Sequence, residues 1–246
     1  LLIDLPEDSP LRKAILTMQS AGKKAVAIVQ DLLTMARRGV VIADVVNLND
    51  IISNYLKSLE YKNLLSFHPG VEVKTKLEAD LPNLSGSSVH LSKIVMNLVS
   101  NAAEAMPEGG NIEIKTINKY VDFPINGNVD VKEGDYILLT VSDSGIGIAP
   151  DDIKRIFEPF YTKKVMGRSG TGLGMAVVWG TVEDHNGYIH IESEEEKGTT
   201  IKLYFPVTRE TARSMEITIS LDKYKSNRKH ILVVDDIKEK IEIETK

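Results

Sequence analysis

A glycine-rich stretch, Gly170-Thr171-Gly172-Leu173-Gly174, is the first feature of this sequence whose residue types and spacing suggest chemistry. The apolar run AVVWGTVEDH follows directly and predicts that the loop opens a helix. Backbone N–H groups at a helix N-terminus can surround an anion, so the stretch is a candidate phosphate site. Its spacing differs from both the dinucleotide-binding and the P-loop patterns. Taken alone, the stretch is also consistent with a tight turn.

Two asparagines in NLVSNA form a second candidate. Asn97 and Asn101 are four residues apart, which places both side chains on one face of a predicted helix. An amide oxygen is a neutral ligand suited to Mg²⁺, an ion that proteins usually share with substrate phosphates. The alternative is a solvated helix face, but this helix is otherwise apolar.

The stretch DSGIGI follows a hydrophobic strand pattern and forms a third candidate. Gly145 and Gly147 would let the backbone turn sharply beside a flat ligand. Asp143 could then accept a hydrogen bond from an exocyclic amine such as that of adenine. A plain turn is the alternative, because Asp-x-Gly is common turn chemistry.

Two further stretches, FEPFYTKK and KGTT, contain candidate binding residues. In the first, aromatic residues would anchor a loop, and Lys163 and Lys164 could point at phosphates. In the second, Thr199 offers a hydroxyl group close to a predicted strand. Each stretch is weak by itself, and a hydrophobic loop anchor explains the first equally well.

A long amphipathic helix is predicted over residues 11–38. Its small and apolar residues recur in alternating steps of four and three, which is the seam of a coiled coil or helical bundle. A single such helix cannot bury its seam, so we expect it to pair with another helix or a second chain. The alternative is packing on its own globular domain. The seam residues are Leu11, Ile15, Met18, Gly22, Ala25, Val29, Leu32 and Ala36.

Helix and strand patterns alternate from about residue 46 to residue 207. Helical periods occur in 48–65, 87–106 and 172–185, and strand patterns in 71–77, 111–117 and 136–143. The stretch HNGYIHIESEEEKGTTIKLYFP predicts a hairpin. The expected fold is α+β: a two-layer α/β sandwich with a mixed, mostly antiparallel sheet and helices on one face, preceded by the long helix.

Bulk composition excludes several classes of function. The 246 residues include 30 basic and 35 acidic residues, a net charge of −5, and no long basic block supports nucleic-acid binding. The chain has no cysteine, which fits a reducing cytoplasm and excludes thiolate metal sites. No apolar run has the length of a membrane helix, so we expect no membrane contact from this part of the protein. Its abrupt apolar start without Met suggests part of a longer protein.

Five stretches together resemble the ATP-binding domain of histidine kinases, within the superfamily that also contains gyrase, Hsp90 and MutL-type proteins. HLSKIVMNLVSNAAEAM, DSGIGI, IFEPFYTK, GTGLGM and KGTTIKLYFP occur in the order of that domain's N, G1, F, G2 and G3 boxes. The resemblance spans roughly residues 46–207 and implies a Bergerat-type fold that uses ATP and Mg²⁺.

The resemblance assigns a role to each candidate. Asp143 would bind the adenine amine with support from Thr199, Asn101 would ligate Mg²⁺, and Asn97 would lie beside it at the phosphates. One of two lysines would supply charge to the ATP lid. The residues implied in ATP binding are Asn97, Asn101, Asp143, Gly145, Gly147, Ile148, Lys163, Lys164, Gly170, Thr171, Gly172, Leu173, Gly174 and Thr199.

The flanking segments resemble other parts of hybrid sensor kinases. Residues 1–45 are similar to the second helix of the dimerisation and histidine-phosphotransfer hairpin, which implies a homodimer through residues 11–38. Residues 208–228 have the composition of a linker. Residues 229–246 are similar to the start of a receiver domain, in which Asp235 and Asp236 would bind Mg²⁺ once the domain is intact. A receiver domain or separate response regulator is the implied partner.

Two departures from the family pattern affect the expected activity. None of the five histidines fits a phosphoacceptor on the first hairpin helix, so this chain is not expected to phosphorylate itself. The five histidines are His68, His90, His185, His190 and His230. Where the superfamily's ATPases have a glutamate, this chain has Asn97, which cannot act as a general base. Phosphoryl transfer is therefore favoured over hydrolysis. A clamp-type ATPase and a non-catalytic nucleotide-binding dimer are the alternatives.

Overall fold

A computed structural model describes residues 6, 9–36, 44–122, 131–163 and 171–210. These residues belong to the first of two compact units, Leu1–Ala212, and the second unit, Arg213–Lys246, lies outside the described residues. The predicted linker, apart from 208–210, and the predicted receiver start with His230, Asp235 and Asp236 therefore lie outside them. So do Lys164 and Gly170.

The long first helix is present. Helix α1 spans Pro10–Ala36, and Pro10 takes the first helical position, where its missing N–H group costs no hydrogen bond. Most of its apolar side chains are exposed, including Met18 and Val29, which are 72% and 54% exposed. Near its C-terminal end, however, α1 packs against its own domain, where buried Asp31 lies 2.9 Å from the ammonium of Lys93. The alternative of packing on its own domain therefore occurs near the C-terminal end of α1, and pairing through its exposed residues stays a prediction.

Seven strands of the described residues form one open sheet in the order β1-β3-β7-β5-β4-β2, and β6 also pairs with β7. Among these strands, β2 and β4 pair in parallel and the other pairings are antiparallel, which confirms the mixed, mostly antiparallel sheet. The strands are β1 (Asp44–Val46), β2 (Val71–Leu77), β3 (Asn83–Gly86), β4 (Gly110–Val121), β5 (Gly134–Asp143), β6 (Tyr188–Glu194) and β7 (Gly198–Thr208).

Several of the remaining helices begin at side-chain caps. Asn47 caps the second helix by accepting a hydrogen bond from the N–H group of Asn49 at 2.9 Å. The helical pattern over 48–65 is interrupted at Ser58, which caps the third helix through Tyr61. The remaining helices are α2 (Leu48–Lys57), α3 (Leu59–Phe67), α4 (Ser88–Glu104), α5 (Pro150–Ile153) and α6 (Gly174–Asp184).

The main core lies between one face of the sheet and the helices. Helices α2, α4 and α6 bury their apolar stripes against alternating residues of the central strands. The opposite face of β5 and β7 carries a smaller cluster that includes Tyr136, Leu138 and Tyr204. The two-layer arrangement therefore agrees with the prediction. Sheet residues of the main core include Ile112, Ile114, Ile137, Leu139, Val141, Ile201, Leu203 and Phe205.

Candidate nucleotide-binding site

Asp143 ends strand β5 and lies between two neighbouring strands. It pairs in register with Ile112 of β4 and Thr199 of β7. Its Oδ1 accepts a hydrogen bond from the N–H group of Gly145 at 2.9 Å. Burial raises the pKa of the Asp143 carboxyl above its usual value, and the backbone N–H groups of Gly145 and Thr199 partly oppose that rise. The carboxyl group is thus held in a fixed orientation by the main chain.

Three glycines around Asp143 allow the backbone to approach where no side chain would fit. A Cβ on Gly145 would lie 2.7 Å from the carbonyl oxygen of Ala105. Gly147 and Gly198 have φ angles of +71° and +104°, which other residues adopt only with strain. A Cβ on Gly198 would lie 2.0 Å from the carbonyl oxygen of Asp143. The glycines of this loop therefore have a packing function in addition to any contact with a ligand.

Ser193 of β6 connects the loop after β5 to the turn between β6 and β7. The sequence did not predict this role. The Ser193 hydroxyl accepts a hydrogen bond from the N–H group of Ile148 at 2.8 Å and donates one to the carbonyl of Gly198 at 3.0 Å. The same oxygen lies 2.8 Å from Oγ1 of Thr199, which is 6% exposed. Ser193, which no motif identified, thus links Ile148 to Thr199, and Thr199 pairs in register with Asp143.

Helix α4 connects this loop to the glycine-rich stretch. At its C-terminal end, the carbonyl of Ala105 accepts a hydrogen bond from the N–H group of Ile146 at 3.1 Å. Two turns earlier, Nδ2 of Asn97 donates to the carbonyl of Gly174, the first residue of α6, at 3.1 Å. Asn97 and Ala105 are separated by about 12 Å along the helix axis at 1.5 Å per residue. Asn101 is half-buried between them.

The described end of the glycine-rich stretch forms a tight entry into α6. Gly172 has a φ angle of +69°, and a Cβ there would lie 2.5 Å from the carbonyl carbon of Phe160. The N–H group of Phe160 donates to the carbonyl of Gly172 at 2.9 Å. Oγ1 of Thr171 accepts from the N–H group of Leu173, whose side chain is fully buried. The stretch therefore meets the helix N-terminus predicted for it, while Gly170 lies outside the described residues.

Lys163 has a carboxylate partner in the structure. Its ammonium pairs with Oδ2 of Asp152 at the end of the short helix α5. The hydroxyl of Tyr161 donates to Oδ1 of the same carboxylate at 2.6 Å. The guanidinium of Arg155 lies 4.2 Å from the centre of the Tyr161 ring. Asp152 was not a candidate in the sequence, because no spacing rule connects it with Lys163. We call these four residues the lid-stem cluster.

Two histidines, His185 and His190, have defined side-chain contacts in the structure. His185 is buried at the end of α6, where its Nε2 accepts from the N–H group of Ser87 at 3.1 Å and its Nδ1 lies 2.6 Å from the carbonyl of Thr181. These contacts require a neutral ring with the proton on Nδ1. His190 lies 3.1 Å from a carboxylate oxygen of Glu192 on the sheet surface.

The donor groups suit a magnesium nucleotide better than a free metal ion. Among the described residues, no three His, Cys, Asp or Glu side chains are placed to hold a metal. Asn97 offers a neutral amide group beside the N-terminus of α6, and Asn101 offers another one turn further along α4, so Mg²⁺ would need further oxygen ligands from phosphates. Within the described part of the chain, no helix is both long enough and apolar enough to cross a membrane.

About half of this chain matches a known protein family. Residues 86–209 match the family described as histidine kinase-, DNA gyrase B-, and HSP90-like ATPase. The chain is 31% identical over 90% of its length to the sensor kinase CckA of Brucella abortus, of which it covers 24%. It is also 31% identical over 75% of its length to sporulation kinase E of Bacillus subtilis, of which it covers 22%. The chain thus spans about a quarter of the length of these relatives.

Solved structures share the fold. A mycobacterial sensor histidine kinase, MprB, superposes with a TM-score of 0.53 at 22% identity, covering 68% of this chain and 98% of that one. Full-length ShkA in complex with AMPPNP gives a TM-score of 0.62 at 21% identity, covering 86% of this chain and 42% of that one. At these identities, the likeness concerns the fold, which agrees with the open sheet and helix layer described above.

Proposed function

Because the chain belongs to the family of histidine kinase-, DNA gyrase B- and HSP90-like ATPases, we propose that residues 46–207 bind ATP and donate its γ-phosphoryl group to a protein histidine. The observation that carries this proposal is the hydrogen bond from Asn97 to the carbonyl of Gly174. It supports a role for Asn97 beside the start of α6, which would be the phosphate end of the site, and a neutral amide there could not accept a proton from water.

The adenine end of the site would be formed by the loop after β5. Asp143 would accept a hydrogen bond from the adenine amine, since its orientation is already fixed by the N–H group of Gly145. Thr199 would support it through its buried hydroxyl. Gly147 and Ile148 would line the pocket beside the base, because Ser193 holds that part of the loop in place.

The phosphate end would be formed by α4 and the start of α6. Asn101 would ligate Mg²⁺, and Asn97 would lie beside it and fix the carbonyl of Gly174. Backbone N–H groups at the start of α6 would face the phosphates, because they have no partner within the first helical turn. We assign phosphate contacts to Gly170, Thr171, Gly172, Leu173 and Gly174, with Lys163 or Lys164 as the cationic contact.

Transfer in this site would depend on positioning and charge neutralisation. Phosphoryl transfer requires an aligned nucleophile and stabilisation of charge on the transferred group, with little covalent chemistry from the protein. Mg²⁺ bound with the nucleotide would neutralise phosphate charge. Because Asn97 cannot activate water, the γ-phosphoryl group would remain available to an incoming imidazole. ATP as the donor is consistent with a cytoplasmic location.

We propose the parent protein to be a hybrid sensor kinase that extends beyond these residues, as the relatives do. Residues 1–45 would be the second helix of the dimerisation hairpin, with the accepting histidine on the preceding helix. The exposed apolar residues of α1, such as Met18 and Val29, support pairing through residues 11–38. Residues 229–246 would begin the receiver domain, joined by a linker over 208–228.

A phosphotransfer assay tests the proposal. The chain is incubated with γ-labelled ATP and Mg²⁺, with and without a longer version that contains the upstream helix and carries Asp143→Ala. We expect acid-labile label on the longer version and little free phosphate. Asp143→Ala in the donor chain should abolish labelling by removing the adenine acceptor. Asn101→Ala should instead weaken mainly the Mg²⁺-dependent part of binding.

The alternatives give different products in the same assay. Free phosphate without labelled protein would indicate a clamp-type ATPase and would contradict the role assigned to Asn97. Nucleotide bound by a dimer, with neither label nor phosphate released, would indicate a non-catalytic scaffold. Normal ATP binding by Asp143→Ala would show that the adenine pocket is assigned to the wrong residues.

A further inference from the structure

The lid-stem cluster combines a shielded carboxylate with an exposed cation. The side chain of Asp152 is 13% exposed, whereas that of its partner Lys163 is 69% exposed. The hydrogen bonds from Lys163 and then Tyr161 hold the pKa of the Asp152 carboxyl below its usual value, so it is ionised at neutral pH. Asp152 is thus a fixed anion, and Lys163 is a cation that water can reach.

The surroundings keep Asp152 in place without Lys163. The hydroxyl of Tyr161 binds Oδ1, and the ring of Tyr161 lies beneath the guanidinium of Arg155. The backbone N–H groups of Arg155 and Ile156 donate to the carbonyl of Asp152 at 2.8 and 3.0 Å. Removal of the ammonium would therefore leave the carboxylate oriented by its other contacts.

The position of Lys163 in the chain connects it to the proposed phosphate end. Phe160 is held against Gly172, and Lys163 follows only three residues later. Three residues span at most about 10 Å even when fully extended. The lysine is therefore confined to the neighbourhood of the residues that lead into the N-terminus of α6.

We propose that Asp152 is a positioning residue that holds Lys163 in the nucleotide-free protein and that nucleotide phosphate competes with it for the lysine. The inference depends on the proposed ATP site. An ion pair with an exposed cation is weak enough to exchange, because solvent screens the cation and a flexible lysine side chain loses freedom on pairing. Polyphosphate, with several charges, is a stronger partner for one ammonium than a single carboxylate. Asp152 thus lowers the affinity for phosphate-bearing ligands.

The substitution Asp152→Asn should release Lys163 while keeping the shape of the side chain and an oxygen for Tyr161. We expect ATP to bind about two- to fivefold more tightly, the range that corresponds to a weak surface ion pair. Adenosine, which lacks phosphate, should bind as it does to the unsubstituted protein. If Asp152 only stabilised the fold, its substitution would instead change the affinities for ATP and adenosine in the same direction.

A double-mutant cycle tests the proposal. Dissociation constants for ATP and adenosine are measured, by competition with a fluorescent adenine nucleotide, for the unsubstituted chain, Asp152→Asn, Lys163→Gln and the double variant. In the Lys163→Gln background, Asp152→Asn should no longer tighten ATP binding. Tyr161→Phe is the matched control, because it removes one hydrogen bond of Asp152 and leaves the charge of Lys163 unchanged. Its ratio of ATP to adenosine affinity should stay constant.

The outcomes separate this inference from the proposed function. If the unsubstituted chain binds ATP but Asp152→Asn binds it equally well or more weakly, only the role of Asp152 is wrong. The same conclusion follows if the gain persists in the Lys163→Gln background. If the unsubstituted chain binds no ATP, the proposed function fails, and the competition fails with it. Because the readout is a ratio of two affinities, partial unfolding of a variant does not imitate the expected result.

Discussion

The loop after β5 and the lid-stem cluster lie in neighbouring parts of the fold but are held by different forces. Around Asp143, backbone N–H groups, carbonyls and the hydroxyls of Ser193 and Thr199 form short hydrogen bonds, and glycines allow close contact. Around Asp152, the contacts are between charged or aromatic side chains, several of them exposed. One region is fixed by the main chain, and the other by side chains that can exchange partners.

This difference indicates how the two ends of the proposed site would respond to a bound ligand. Hydrogen bonds among buried groups are costly to leave unsatisfied, so the adenine end should keep its shape whether or not a ligand is bound. Exposed ion pairs contribute little and are screened by salt, so the lid stem can rearrange at small cost. If the proposed site binds ATP, specificity for the base and adjustment to the phosphates would belong to separate regions.

The largest expected effect is that of Gly198→Ala, which disturbs the fixed region directly. The added Cβ would collide with the carbonyl of Asp143, and the φ angle of +104° is strained for alanine. We expect a loss of about 3 kcal/mol or more in the free energy of unfolding, measured by urea denaturation. Gly22→Ala is the control, because a Cβ there meets nothing within 4 Å and should not destabilise the chain. Equal stability of both variants would contradict the rigid character of the loop.

Ser193→Ala should have the next largest effect. It leaves the N–H group of Ile148 and the carbonyl of Gly198 without their hydroxyl partner, at a cost of about 1–3 kcal/mol. Proteolysis and denaturation should both detect the loosened loop, and ATP affinity should fall. Ser193→Thr retains the hydroxyl and serves as the control. If Ser193→Ala bound ATP and unfolded like the unsubstituted chain, the loop would not depend on this serine.

The contacts of Ser193 and Asp152 could not be predicted from the sequence. Asp143, Asn97 and Asn101 could be proposed from the sequence because a local pattern, a strand end or a spacing of four, already specifies their geometry. Ser193 lies 45 residues from its partner Ile148, and a serine in a strand carries no local signal. The long periodic elements were predicted correctly for the same reason. The short elements β1, β3 and α5 were missed, since three or four residues show no period and their stability comes from distant partners such as β7.

A smaller effect is expected from pH, through buried His185. Burial lowers the pKa of His185, and the nearby charge of His90 lowers it further. The folded state therefore binds fewer protons than the unfolded state, and stability should fall as the pH drops below about 6.5, the usual histidine value. Thermal melts between pH 5 and 8 measure this, with His185→Gln as control because glutamine can also both donate and accept. An unchanged pH dependence in His185→Gln would assign the effect to other groups.

The smallest effect is expected at the lid stem itself. Arg155→Ala removes an exposed pair with Glu158 at 3.3 Å and the contact with the Tyr161 ring. We expect a loss below about 1 kcal/mol that shrinks further at high salt. Melting temperatures at low and high salt, with Arg155→Lys for comparison, provide the test. A loss as large as that of Gly198→Ala would show that the two regions are equally rigid.

The hydrogen bond from Phe160 to the carbonyl of Gly172 has a consequence for how the chain can change in length. It joins positions 160 and 172 directly, so the distance between them does not depend on how many residues connect them. The entropy cost of closing a loop rises by only about 0.6 kcal/mol when its length doubles. A change in the number of connecting residues should therefore cost the fold little, provided that Tyr161, Lys163 and Thr171 keep their contacts.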